Sequence, residues 1–219
     1  LAPSGVRFCA LEEGELVRVK TNLPGQFSVY NALAAISCAR LLGVSLADAA
    51  AALETAHGAK GRVEPVPTDG DYSIFIDYAV TPDAIENVLT TLRGIAPKRL
   101  VMLFGAGGDR DRKKRPIMGK LSADIADFVI VTSDNPRTED PMSIIEEILP
   151  GVRAGKAPYK VICDRPEAIR WAIDHHEPGD VILLCGKGHE DYQIIGHEKI
   201  HMDEREIVAD YLAERAKRT

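Results

Sequence analysis

From residue 72 onward, short apolar runs alternate with helical patterns, and this alternation constrains the fold more than any other feature of the chain. Strands are expected at Ser73–Tyr78, Arg99–Phe104, Asp127–Thr132, Tyr159–Cys163 and Val181–Cys185. Helical patterns follow the first four, at Pro82–Leu92, Arg115–Ala126, Pro141–Leu149 and Arg165–Ile173. Near-continuous apolar strands separated by helices predict an α/β fold: a mostly parallel sheet with helices on both faces. Tyr192–Ile195 and Lys199–His201, around Gly196-His197, predict a C-terminal hairpin. A last helix is expected from Asp203 to Ala216, acidic at its start and followed by basic residues at its end, as the helix dipole favours.

The first 60 residues read differently. Glu15–Lys20 is a short strand, Pro24-Gly25 a turn, and Val29–Leu42 and Leu46–Thr55 are Ala-rich helices. This stretch carries too little apolar surface for an independent core, and reads as the tail of a second α/β domain. The junction is expected near Gly58 to Arg62, dividing the chain into residues 1–62 and 63–219. No initiator Met is present, so a piece of a longer polypeptide is expected. With 219 residues, 45% of them apolar and 27% charged, the composition is that of an ordinary globular protein. The net charge of −6 and the lack of a basic block argue against nucleic acid or an anionic membrane as partners. No apolar run approaches a membrane span, and no signal peptide opens the chain. The cysteines (Cys9, Cys38, Cys163 and Cys185) lie far apart with no metal-binding spacing and read as buried free thiols of a reducing compartment.

In parallel open sheets, ligands sit beyond the carboxyl ends of the strands. Three such ends are unusually polar: Gly105-Ala106-Gly107-Gly108-Asp109-Arg110-Asp111, Asp134-Asn135-Pro136-Arg137, and Gly186-Lys187-Gly188-His189-Glu190-Asp191. All three should open on one edge of the sheet. Together they supply Arg110, Arg137 and Lys187 as cations, and Asp109, Asp134 and Glu190 as anions. That mixture suits a small zwitterion: an Arg fork matches a carboxylate, and a carboxylate accepts from an ammonium. A polyphosphate would be repelled by the acids. The glycines after residue 104 fit a dinucleotide loop only until its third glycine, which falls on Arg110. Gly186-Lys187-Gly188 lacks the rest of a phosphate loop. Histidine as a residue type can act as a general base, but His189 beside Glu190 reads as a structural histidine. His175-His176 reads as an exposed helix end. No nucleophilic triad and no metal site stand out, so no catalytic residue is assigned.

Six blocks in order, LPGQFSVYNALAA (23–35), GRVE (61–64), IDYAVTPDAIENVL (76–89), GAGGDRDRKKRPIMG (105–119), TSDNPRTEDP (132–141) and GKGHEDYQI (186–194), closely resemble the Mur ligases of peptidoglycan synthesis. Within that family they resemble the branch whose incoming amino acid is meso-diaminopimelate. The resemblance implies that residues 1 to about 62 end a central ATP-binding domain, and that the rest is a Rossmann-like domain delivering the amino acid. It implies diaminopimelate contacts at Arg110, at Asp134, Asn135, Pro136 and Arg137, and at Gly186 and Glu190. It implies nucleotide contacts at Asn31, Arg62 and Asp77.

The implied reaction is ATP-dependent, with Mg2+, and joins diaminopimelate to UDP-N-acetylmuramoyl-L-alanyl-D-glutamate during cell wall synthesis. The expected setting is a monomer in the bacterial cytoplasm. The family's phosphate loop, magnesium ligands and modified lysine belong to an upstream region, so residues 1–219 alone are expected to be inactive as a ligase. Val80 stands where the family carries His, and Ser28 where Asn is common. A ligase for another diamino acid such as L-lysine, or a non-catalytic binding module, remains an alternative. Lysine lacks the distal carboxylate and would leave the Arg137 guanidinium unpaired.

Overall fold

A computed structural model describes residues 4–218, which divide into two compact units, one ending at Ala59 and the next beginning at Lys60. The sequence reading puts this junction after residue 62.

The first unit opens with a strand that the sequence reading did not foresee, β1 (Val6–Glu12), paired antiparallel with β2 (Glu15–Thr21). Glu13 and Gly14 form the turn at φ 48° and 88°, the two positive angles that match the twist of a two-residue hairpin. Two helices follow, α1 (Gln26–Leu41) and α2 (Leu46–Glu54), the second capped by Ser45 accepting from the Asp48 amide. A small core of Ala10, Val19, Ile36, Leu46, Ala49 and Ala50 joins hairpin and helices.

The second unit runs β3 (Glu64–Val66), β4 (Ser73–Asp77), α3 (Pro82–Arg93), β5 (Leu100–Phe104), α4 (Lys114–Ile125), β6 (Phe128–Val131), α5 (Pro141–Ala154), β7 (Tyr159–Val161), α6 (Arg165–Asp174), β8 (Val181–Cys185), β9 (Tyr192–Ile195), β10 (Glu198–His201) and α7 (Glu204–Ala216). Six strands form one sheet in the order β3-β4-β8-β5-β6-β7. Every neighbouring pair is parallel except β3 with β4. The short edge strand β3, interrupted by Pro65, was not foreseen. β9 and β10 make the expected hairpin.

Alternate strand residues feed two cores, as the period of two dictates. Phe75, Met102, Phe104, Val129, Val131 and Leu183 pack under α3, α4 and α5. Ile74, Ile76, Val101, Leu103, Ile130 and Leu184 pack under α6 and α7. Each such side chain, fully buried, contributes roughly 1.5–3 kcal/mol. α5 continues past Leu149, the end that the sequence reading gave it, and carries Pro150 inside it. Val152 is buried in the core, and Gly151 packs so closely on α4 that a Cβ would lie 1.8 Å from the Pro116 carbonyl oxygen. That packing outweighs the one backbone donor the proline removes.

The order of the strands positions the site. α3 carries the chain from β4 over the place that β8 later fills, and α6 returns it along the opposite face. The loops leaving β8, β5 and β6 therefore stand side by side beyond one edge of the sheet. Among the described residues no helix is long and apolar enough to cross a membrane.

Candidate functional site

The loop after β6 is built around Asn135, which is buried. Its Nδ2 donates to Glu190 Oε2 at 2.9 Å, and its Oδ1 accepts from Lys187 Nζ at 2.7 Å and from the Ile194 amide at 2.9 Å. The Asn135 amide donates to the neighbouring Asp134 carboxylate at 2.6 Å. Gln193 donates to Ser133 Oγ at 3.0 Å and to the Asp134 carbonyl at 2.6 Å. Pro136 is buried and packs on Gly108, where a Cβ would lie 1.8 Å from the Pro136 carbonyl oxygen. Arg137 has φ 53°, in the left-handed region that strains a residue with a Cβ. The backbone bonds on either side hold it there: its amide donates to the Ile194 carbonyl at 3.0 Å and its carbonyl accepts from Gly196 at 2.7 Å.

The loop after β8 brings Lys187 and Glu190 to the same point. Gly186 has φ 113°, and a Cβ on it would lie 2.6 Å from Asp134 Oδ2, so only glycine fits. Lys187 is fully buried, with Nζ 3.1 Å from Glu190 Oε2 and 3.7 Å from Asp134 Oδ1. Burial pushes its ammonium below the ordinary Lys value, while the Asp134 and Glu190 carboxylates oppose that shift. Lys187 is thus a buried partner of the two acids and not a free cation.

The loop after β5 is fastened to the loop after β6. Gly108 donates its amide to the Asn135 carbonyl at 2.9 Å, and Arg137 Nη1 donates to the Gly108 carbonyl at 2.7 Å. Asp109 accepts from Thr138 Oγ1 at 2.7 Å and gives its own amide to Glu139 at 2.6 Å. Its carboxylate is therefore committed to the loop. The Arg137 guanidinium and the stem of Arg110 both lie beside Gly107: a Cβ there would lie 2.9 Å from Arg137 Nη1 and 3.7 Å from Arg110 Cγ. Arg110 is exposed and Arg137 half-buried. Arg110, Asp134, Asn135, Pro136, Arg137, Gly186 and Glu190 thus lie on three interlocked loops.

The three residues expected to touch nucleotide are placed differently. Asn31 is exposed on α1 in the first unit. Arg62 is exposed, with its guanidinium 5.4 Å from the centre of the Tyr78 ring. Asp77 is buried at the end of β4, accepts from the Val63 amide at 2.9 Å and gives its carbonyl to the Gly186 amide at 2.9 Å. Burial raises its carboxyl above the usual range, against the pull of the Val63 and Ala79 amides and of Arg62. Val63 itself has φ 42°, an outlier for a β-branched residue, held by that bond to Asp77. His189 is exposed and its ring lies 4.8 Å from that of Tyr78. Among the described residues no group of three His, Cys, Asp or Glu side chains could hold a metal ion.

Sequence reasoning missed two buried arginines. Arg115, on the first turn of α4, donates to Glu139 at 2.8 and 2.9 Å, to Glu147 at 2.7 Å and to the Gly107 carbonyl at 3.1 Å. Arg165 opens α6 and reaches Ser133, Cys185 and Glu204. The only signal for either was a basic residue where a helix begins, which the dipole disfavours.

This doubly covered parallel sheet, with three polar loops locked together beyond its carboxyl edge, belongs to the Mur ligase family: residues 61–188 match the family model described as Mur ligase, glutamate ligase domain. The chain is 50% identical over 214 residues to the UDP-N-acetylmuramoyl-L-alanyl-D-glutamate–2,6-diaminopimelate ligase of Caldanaerobacter subterraneus subsp. tengcongensis, covering 98% of this chain and 44% of that protein. It is 49% identical over 207 residues to the ligase of the same name from Trichormus variabilis, covering 94% of this chain and 41% of that one. A solved structure of a UDP-N-acetylmuramoyl-L-alanyl-D-glutamate–2,6-diaminopimelate ligase matches with a TM-score of 0.78 at 36% identity, covering 98% of this chain and 44% of that chain. The chain thus spans less than half the length of these relatives.

Proposed function

We propose that this chain is the amino-acid-receiving part of an ATP-dependent amide-forming ligase, which joins meso-diaminopimelate to UDP-N-acetylmuramoyl-L-alanyl-D-glutamate in the bacterial cytoplasm. One observation carries the reading: the side chains of Arg110 and Arg137 both pass beside Gly107, on loops tied to the Asp134, Asn135 and Glu190 cluster. Diaminopimelate has two carboxylates and two amines. A guanidinium fork takes a carboxylate in two parallel bonds, and Glu190 and Asp134 accept from an ammonium. Gly186 lets the backbone approach the ligand, and Pro136 stiffens the turn. The names of the relatives agree with this substrate.

In the proposed reaction, ATP phosphorylates the D-glutamate side-chain carboxylate and leaves as ADP, a diaminopimelate amine attacks the acyl phosphate, and the tetrahedral intermediate collapses to an amide with loss of phosphate and a proton. The contribution of these residues is orientation: a held amine facing an acyl phosphate removes several kcal/mol of entropic barrier. Asn31, Arg62 and Asp77 are proposed to serve the nucleotide. Arg62 is the exposed cation of the three, whereas Asp77 spends its carboxylate on the Val63 amide. These residues do not by themselves make a phosphate or magnesium site, so no step is assigned to either here.

Calorimetric titration of the chain with meso-diaminopimelate and L-lysine tests the reading. Heat from diaminopimelate with none from lysine supports it. Equal or preferential binding of lysine would move the assignment to another diamino acid, and binding of neither would remove it. Phosphate release with all three substrates should be absent for residues 1–219 alone.

A further inference from the structure

Arg165 is the first residue of α6, a position that usually faces solvent, yet its side chain is fully buried. Its guanidinium splits three ways. Nη1 donates to the Ser133 carbonyl at 3.1 Å, Nη2 to the Cys185 carbonyl at 2.8 Å, and Nε to Glu204 Oε1 at 2.8 Å. Ser133 immediately precedes Asp134, and Cys185 immediately precedes Gly186. The fork therefore grips the loops after β6 and β8 where each begins.

No ladder bond could do this. β6 and β8 are separated in the sheet by β5, about 10 Å from strand to strand, and the two carbonyls lie just past the end of β6 and at the end of β8. A planar guanidinium with fixed nitrogen spacing bridges them across the end of the intervening strand. Glu204, the first residue of α7 and also fully buried, fixes the plane of the fork from the far side. Its second carboxylate oxygen has no hydrogen-bond partner among the described residues. Two buried charges, one of them half-satisfied, are a poor device for stability, because apolar residues of similar volume fill such a site as well or better.

We propose that Arg165 is a positioning residue: held by Glu204, it sets the separation of the loops after β6 and β8, and so the distance at which Asn135 and Glu190 meet. The identity of the ligand in the cleft rests on the function proposed above; the spacing does not.

The test is amide hydrogen exchange on the whole chain, comparing Arg165→Lys with the parent. Lysine keeps a charge for Glu204 but cannot span two carbonyls in one plane. Exchange at Ile194 and Glu190, whose amides close the cluster, is expected to accelerate about tenfold, equivalent to about 1.4 kcal/mol of local opening. The amides of β5 should stay protected. Leu212→Ala on α7 is the control; it lowers stability without local acceleration at the loops. If Arg165→Lys does not fold, the double variant Arg165→Met with Glu204→Leu removes both buried charges and should show the same local effect. Uniform acceleration, or none, would overturn the proposal. Diaminopimelate titration of the same variants reads the consequence, with affinity expected to fall about tenfold. A parent chain that binds no diaminopimelate would remove the functional reading and leave the exchange result to decide the spacing.

Discussion

Asn135 donates its side-chain amide to the Glu190 carboxylate at 2.9 Å, across 55 residues of sequence. The oxygen of the same amide takes the Lys187 ammonium at 2.7 Å and the Ile194 amide, on the first strand of the hairpin, at 2.9 Å. One neutral side chain thus orients an anion, a cation and a strand. Replacement by the near-isosteric leucine, Asn135→Leu, leaves two buried charged groups each short of a partner. A loss of about 2–3 kcal/mol in urea unfolding is expected, with the slope unchanged.

Arg137 is strained in its backbone and proposed as a carboxylate ligand in its side chain, so one substitution separates the two. Arg137→Gly relieves the φ of 53° and deletes the guanidinium. The gain from the relieved strain, about 1 kcal/mol, offsets much of what is lost with the bond to Gly108. Stability within about 1 kcal/mol of the parent is expected, with calorimetric binding of meso-diaminopimelate abolished.

Gly186 offers the opposite case. Its φ of 113° is closed to any residue with a Cβ, and that atom would lie 2.6 Å from Asp134 Oδ2. Gly186→Ala should destabilise the chain by about 1–3 kcal/mol and displace Asp134, so thermal unfolding and diaminopimelate affinity should fall together.

The loop carrying Arg110 has its own pH dependence. Glu139 is held down to about 2, from an ordinary value of 4.5, chiefly by its bonds to Arg115. A carboxyl whose folded value lies below its unfolded one contributes stability that is complete above the unfolded value and lost as the pH falls toward the folded one. Between 4.5 and about 2, urea midpoints of the parent should fall. Glu139→Gln should start lower at neutral pH and show a flatter acid limb. Identical acid limbs would show that this carboxyl does not carry the dependence.

Much of the sheet was legible because its central strands are buried on both faces. Phe75 and Ile76, or Leu103 and Phe104, face opposite cores, so the runs are apolar without interruption. β1 and β3 were not legible: one alternates Arg7 and Cys9 with Val6 and Ala10, and the other is three residues long around Pro65. The three loops could be placed from the sequence, because strand ends and glycines mark them. What holds them could not. Arg115, Arg165 and Glu204 stand in helices rich in other charges, and a helical pattern does not tell a solvated charge from one that tertiary packing turns inward. Lys187 was read as a cation facing the cleft, yet it is a buried partner of Asp134 and Glu190. Its place depends on Asn135, a partner 52 residues away.

A crystal structure of this chain grown with meso-diaminopimelate tests the central claim most directly. One ligand is expected beyond the carboxyl edge of the sheet, with one carboxylate between the guanidiniums of Arg110 and Arg137 and an ammonium within hydrogen-bond distance of Glu190. Density for the ligand on any other surface, or a bound ligand that leaves Arg110 and Arg137 facing solvent separately, would contradict it.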